Sequence, residues 1–401
     1  MSQRYFGGVI SKTAPTVVGP IGGEGGSAPG VWTLEQAEYY EKLGQWPKPI
    51  IVRKLYSWGL NVVGQLGQGD STYRSSPTQV GALTTWLSIA AGHNHGLSIK
   101  NDGSLWSWGG NGFGQLGTGN ITFRNSPVQV GALTTWSSVA AGSSFSAATK
   151  TDGTLWLWGY NYYGQLGMGD QVYRSSPVQL GALTTWASVS CNLFFTAAIR
   201  TNGTLWTWGN NPSGQLGLGD TTYRYSPVQV GALSTWSKIA CGASHTASIK
   251  TDGTLWMWGN GTSGQLGTSE TIRRSSPVQV GALTTWANVA AGTDITAAIR
   301  TDGTLWTWGA PTNGALGQNN AVYRSSPVQV GALTTWSSVK CGDRFMISAK
   351  TDGTLWSWGR NNSGQLGVGD VVNRSSPVQI GALTTWLRIS CGDTFALGTA
   401  S

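Results

Sequence analysis

Residues 176–209 run SPVQLGALTTWASVSCNLFFTAAIRTNGTLWTWG, and 210–225 continue NNPSGQLGLGDTTYRY before Ser226-Pro227 begins the same pattern again. Four short strands can be read from this unit. Strand A is 177–180, opened by a proline whose missing N–H is tolerated at the first position of a strand. Strand B is 186–190 and strand C is 195–200. Strand D is 205–208, where period-two alternation puts Trp206 and Trp208 on one face. The Thr-Asn-Gly between C and D, Thr-Asp-Gly in most other units, is a strong hairpin signal. The turn between B and C holds Gly92, Gly142, Gly242, Gly292, Gly342 and Gly392, with Asn192 as the one substitute. Gly and Asn both tolerate positive φ, so a left-handed residue is expected there.

The unit recurs without insertion. Trp-Gly falls at Trp58, Trp108, Trp158, Trp208, Trp258, Trp308 and Trp358, fifty residues apart each time. Seven units of four short antiparallel strands make an all-β, single seven-bladed β-propeller over residues 51–401. The array opens with a lone strand D (55–58) and ends with A, B and C (377–397). The N-terminal strand is therefore expected to complete the last blade and remove the free sheet edges. Residues 1–50 form a separate Gly/Pro-rich arm, an attachment or linker segment. Its Thr33-Leu-Glu-Gln36 reads as a capping box for one short helix to about Leu43, with Gly44 as its stop and Pro47 beyond.

Composition agrees with this reading. The chain has 401 residues, with 59 Gly and 22 Trp but only 10% charged residues, which suits tight turns and aromatic packing rather than helices. The net charge is +8. The first fifty residues hold four basic and four acidic side chains, so the excess is spread through the repeats. No basic run marks a specific nucleic-acid site. No apolar stretch reaches signal-peptide or membrane-spanning length, so no membrane insertion is expected. Cys191, Cys241, Cys341 and Cys391 share one repeat position with Ala91, Ala141 and Ala291, the mark of a small buried filler rather than a disulfide framework.

Candidate chemistry is sparse. His95 and His245 share a position with Phe145, Phe195, Ile295, Phe345 and Phe395, which marks it as a packing position. His93 has no companion ligands nearby, so no metal site is expected. No nucleophile elbow, carboxylate pair or phosphate loop is present. Gly-Gln-Leu-Gly recurs as loop geometry and does not open a helix. The expectation is no catalytic residue, no cofactor and no enzymatic activity.

Comparison among the repeats singles out one face. The A-to-B and C-to-D turns are nearly uniform, whereas the B-to-C turns and D-to-A loops vary. The variable end gathers Phe113, Tyr160, Tyr162, Tyr163 and Phe194, beside Arg344 and Arg360. Aromatic groups rimmed by polar ones suit protein or glycan contacts, and a ligand patch centred on 160–163 and 193–194 is expected. A ring of arginines precedes strand A: Arg74, Arg124, Arg174, Arg224, Arg274, Arg324 and Arg374. An acid often stands four residues earlier, as at Asp70, Asp170, Asp220, Glu270 and Asp370, which suggests a loop-locking ion pair. Arg124 and Arg324 persist where that residue is Asn120 or Asn320, so a cationic collar for an anionic surface stands as the second reading.

The unit V-x-x-G-x-x-[HF] … D-G-T-L-W-x-W-G-x-N-x-x-G-Q-L-G-x-G-D … S-P-V-Q-V over residues 51–401 resembles the regulator of chromosome condensation repeat. The resemblance implies a seven-bladed propeller closed by a shared blade. It also implies a founding member with one face for nucleotide exchange on the small GTPase Ran and another for chromatin. A GTPase-wedging insertion would break the fifty-residue spacing, and none does; a basic tail is also missing. Gly30-Val-Trp-Thr-Leu34 followed by Gln45-Trp46-Pro47 looks like a segment of marine tailed-phage virion proteins. The leading expectation is a non-enzymatic virion-surface or tail-fibre module. It would attach to other virion proteins through its arm and bind a host-surface receptor or glycan. The alternative is a cytoplasmic protein-interaction scaffold or exchange-factor-like regulator.

Overall fold

Strands B, C and D form where the alternation places them, whereas strand A begins three residues before the expected 177, at Arg174, and carries Pro177 inside it at a register irregularity on the sheet edge, where a missing N–H is tolerated. In the repeat quoted above they are Arg174–Gln179, Trp186–Asn192, Phe195–Arg200 and Leu205–Gly209, with counterparts in every other repeat. The computed structural model describes residues 52–401, and its strands assemble into seven four-stranded antiparallel sheets. The capping box, helix and phage-like segment expected within residues 1–50 lie outside the described residues.

The blades are cut differently from the repeats. Each sheet runs B, C, D and then strand A of the following repeat, as in Trp186–Asn192, Phe195–Arg200, Leu205–Gly209 and Arg224–Gln229. Strand A is the outer strand of the preceding blade, not the first strand of its own. The long D-to-A loop folds back on itself in every repeat; Asn211 pins it here, and the loops with Gly261 and Pro311 at that position take the same course without the clamp. Asn211 Oδ1 accepts from the Leu216 amide at 2.9 Å, and its Nδ2 donates to the carbonyls of Asp220 at 3.0 Å and Thr222 at 3.1 Å. Arg224–Gln229 lies against strand D, with Trp206 opposite Gln229. Residues 230–235 then cross to the inner strand of the next blade, and the B strands line a central channel.

The ring closes through the N-terminus. Lys54–Gly59 pairs with Phe395–Ala400, with Leu55 opposite Thr399 and Trp58 opposite Ala396. The closing sheet takes its fourth strand from Arg74–Gln79, whereas Arg374–Gln379 belongs to the blade before it.

Seven buried tryptophans lock blade to blade. The indole N–H of Trp108 donates to the Gln65 carbonyl at 2.9 Å, and Trp158, Trp208, Trp258, Trp308 and Trp358 repeat the bond around the ring. Trp58 completes it across the seam, donating to the Gln365 carbonyl at 3.0 Å. Gly67 lies flat on the same indole, where a Cβ would come within 3.0 Å of Trp108 Cδ1. Gly-Gln-Leu-Gly is thus a socket for the next blade's tryptophan.

The B-to-C glycines are needed for a reason other than the left-handed conformation expected. None of the six has positive φ. A Cβ on Gly92 would lie 2.4 Å from His95 Cε1 and 2.5 Å from the Gly142 carbonyl oxygen of the next blade. Close approach at the crowded axis excludes a side chain. Asn192 is accommodated by donating to the Cys241 carbonyl at 2.9 Å. The four cysteines are free thiols on these inner strands, at the position that alanine fills elsewhere.

Candidate functional site

The two ends of the propeller differ as the repeat comparison anticipates. At the B-to-C end, aromatic side chains from three consecutive blades meet. Phe113 contacts Tyr160 with ring centroids 4.9 Å apart; Tyr163 packs on Tyr162 at 5.0 Å and on Phe194 at 5.1 Å. The five expected aromatics therefore form one cluster. Two more belong to it: Tyr173 stands 5.0 Å from Tyr160, and Tyr223 stands 5.5 Å from Tyr163. Four members face solvent, Phe113 at 41%, Tyr162 at 54%, Tyr173 at 43% and Tyr223 at 37% exposure. So much exposed ring in one place is surface available to a partner, not core. Burial and the neighbouring Tyr173 push the Tyr160 hydroxyl up to about 12.

Tyr173 and Tyr223 escaped the repeat comparison, although Arg273 and Asn373 stand at the same repeat position. That position also holds Tyr73, Phe123 and Tyr323. A search for adjacent aromatic positions, constant or not, would have found them.

Arg344 and Arg360 do not join the cluster. They sit on the blade of residues 336–379, at least one full blade away around the ring. There Arg360 Nη1 pairs with Asp343 Oδ2 at 3.1 Å, and Arg344 Nε lies 4.0 Å from Asp343 Oδ1. The order of the repeats around the ring already places these two arginines away from residues 113–194, a separation the comparison of positions within the repeat leaves out.

The arginine ring lies at the start of the outer strands. Arg74, Arg174, Arg224 and Arg374 pair with the acid four residues earlier at 2.5–2.7 Å, and Arg274 pairs with Glu270. The same acid ties the loop: Asp70 Oδ1 accepts from the Thr72 amide at 2.9 Å and from Asn61 Nδ2 at 3.0 Å. The Thr72 amide and Arg74 hold the Asp70 carboxyl below its usual range. Arg324 donates instead to Gln318 Oε1 at 3.0 Å, and Arg124, opposite Asn120, makes no ion pair among the described residues. Five of the seven are thus paired with an acid of their own loops, and a sixth, Arg324, is hydrogen-bonded within its loop.

The histidines at the Phe position are wholly buried. Ser146 Oγ donates to the Gln115 carbonyl at 2.7 Å, so the 2.9 Å contact from His95 Nε2 to Ser146 Oγ requires the Nε2–H tautomer. Thr296 fixes His245 in the same way. Nδ1 of both rings is buried without a partner. Burial brings their pKa values down to about 3 for His95 and about 4 for His245. These are neutral packing groups. Among the described residues no cluster of three or more His, Cys, Asp or Glu is placed to hold a metal, and no helix is long and apolar enough to cross a membrane.

A family model described as the RCC1-like domain matches residues 176–400. The chain belongs to the RCC1-like family. The model of the regulator of chromosome condensation (RCC1) repeat itself matches residues 54–99, 102–149 and 152–199. No curated protein sequence matches the chain. Among solved structures, human WBSCR16 is similar with a TM-score of 0.79 at 21% identity, covering 87% of this chain and 99% of that one. Prp20p from Saccharomyces cerevisiae is similar with a TM-score of 0.76 at 20% identity, covering 87% of this chain and 91% of that one. Binding to Gsp1p and histones is described for Prp20p, and a second structure has it bound to Kap60. At these identities the likeness establishes the fold.

Proposed function

We propose that this RCC1-like propeller is a non-catalytic binding module that captures a protein partner on its aromatic B-to-C face. The observation that carries the reading is the contiguous set of rings from three blades, four of them solvent-exposed. Large rigid side chains give contact area at low entropic cost, as binding hot spots do. The protein partners of Prp20p favour a protein ligand and a cellular interaction scaffold. The virion-surface reading, with a host receptor or glycan as ligand and a place on a phage particle, rests on residues 30–34 and 45–47.

The test replaces Tyr160, Tyr162 and Tyr163 together with Ser. Capture of protein partners from the source cell and binding to a glycan array are then compared with wild type. Partner affinity is expected to fall by at least about tenfold in a variant with unchanged strand content. Unchanged binding removes the patch from the account, and loss confined to glycans favours the receptor-type reading.

Exchange activity is not part of the proposal, because no repeat carries an insertion that could wedge open a nucleotide site. Release of a fluorescent nucleotide from a Ran-like GTPase is expected to proceed at its intrinsic rate with micromolar protein present. A large acceleration would replace the scaffold reading with an exchange factor.

A further inference from the structure

The central channel contains a cavity of about 450 Å³ walled by the inner strands. Its lining is mostly polar at the points where side chains project, with Ser88, Ser190, Ser338 and Ser390 among them. Two cations enter it, Lys340 and Arg388, and no carboxylate lines it. The two lie on neighbouring inner strands, Trp336–Cys341 and Trp386–Cys391.

The repeats themselves supply the comparison that makes these two residues informative. At the position of Lys340 the other six repeats hold Ala90, Ala140, Ser190, Ala240, Ala290 and Ser390. At the position of Arg388 they hold Ser88, Ser138, Ser188, Lys238, Asn288 and Ser338. In units otherwise nearly identical, two adjacent strands depart toward positive charge, and both departures face one cavity. Lys238 is accounted for by its bond to the Ala287 carbonyl. Lys340 and Arg388 have no hydrogen-bond or ion-pair partner among the described residues. The surrounding channel wall, with the Arg388 charge beside it, lowers the Lys340 pKa, although both side chains keep solvent-exposed surface within the channel. Like charges projecting into the same channel repel each other, and an anion between them relieves that repulsion.

We propose that the channel binds a phosphate-type oxyanion between Lys340 and Arg388. Arg offers a planar fork and Lys a point charge, and both make charge-assisted bonds to such oxygens. The cavity has room for a phosphate carried on a small molecule as well as for the free ion. Entry is from the A-to-B end, where Leu387 and Arg388 begin their strand. At the other end the B-to-C turns narrow the channel to a void of about 60 Å³ whose lining includes Asp343 and Asp393, and those carboxylates repel an anion.

Isothermal titration at low salt with inorganic phosphate, and separately with tripolyphosphate, tests this on the full chain. Saturable one-site binding of at least one probe is expected. Lys340→Ala and Arg388→Ser, each installing a residue that other repeats carry at that position, are each expected to weaken it by about tenfold or more. The double variant should show none while melting at or above the wild-type temperature. Arg324→Gln, in the outer ring, should leave binding unchanged. Tighter binding of tripolyphosphate would indicate a ligand that carries its phosphates on an extended body; tighter binding of phosphate would indicate the free ion. No saturable binding of either probe, or binding by the double variant equal to wild type, overturns the proposal.

Discussion

A chain that begins at residue 80 is expected to lose the closed ring and to leave the monomeric state. The truncation removes Lys54–Gly59 and Arg74–Gln79, two of the four strands of the closing sheet. Phe395–Ala400 then presents a bare edge, and Leu397 and Phe395 lose Leu55, which packs with them in one core cluster. Exposed, flat and partly apolar edges pair with other chains, so size-exclusion chromatography should show oligomers or aggregate. The single change Trp58→Ala tests the same seam more gently. It deletes a fully buried indole and its bond to the Gln365 carbonyl, at a cost of about 3–5 kcal/mol. Trp208→Ala removes the same group inside a blade of unbroken chain and serves as the control. The closure account fails if the truncated protein stays monomeric and melts with the full-length chain.

Replacing His95 and His245 together by Phe, the residue of four other repeats, is expected to flatten the acid limb of the stability curve. Both rings are neutral in the folded state, with pKa values of about 3 and about 4, against 6.5 when unfolded. A depressed base binds a proton in the unfolded chain first, so stability is lost as pH falls below 6.5 and continues to fall toward the folded values. At pH 5 each histidine costs about 2 kcal/mol relative to pH 8, or about 4 kcal/mol for the pair. His93 adds a small repulsion to His95, and the outer-ring carboxylates titrate alike in both proteins, so the difference isolates the two rings. Urea unfolding at pH 8 and pH 5 measures it. Equal pH 8-to-5 losses in wild type and double variant would show that the rings gain a proton without penalty.

Much of the candidate face could be read before any coordinates. Divergence confined to the B-to-C turns and D-to-A loops identified Phe113, Tyr160, Tyr162, Tyr163 and Phe194, and these do come together. The same criterion passed over Tyr173 and Tyr223, although Arg273 and Asn373 break the aromatic run at that position, and it drew in Arg344 and Arg360 from another blade. Variation reports where repeats differ, whereas contact depends on which loop tips meet across the ring. The arginine ring and the histidines were legible as structural groups because substitution patterns within the chain carry their chemistry.

The sequence by itself determined the blade count, the positions of strands B, C and D, the two unlike ends and the use of the N-terminal strand to close the ring, but it started strand A at Pro177 rather than Arg174. An exact fifty-residue period and period-two alternation leave few other solutions. Tertiary structure alone decided where one blade stops and the next begins. Short connections suggest that strand A pairs with strand B, yet the longer D-to-A loop folds back so that A pairs backward with D, with the Asn211-type clamp or, at Gly261 and Pro311, without it. It also decided why Gly92 and its equivalents are glycine. None has a left-handed φ; the constraint is close approach, by the neighbouring blade's carbonyl to 2.5–2.7 Å of where a Cβ would stand at five of them and by the Phe145 ring at Gly142. Neither fact is local: each depends on a group fifty residues or a whole loop away, brought close only when the ring is assembled.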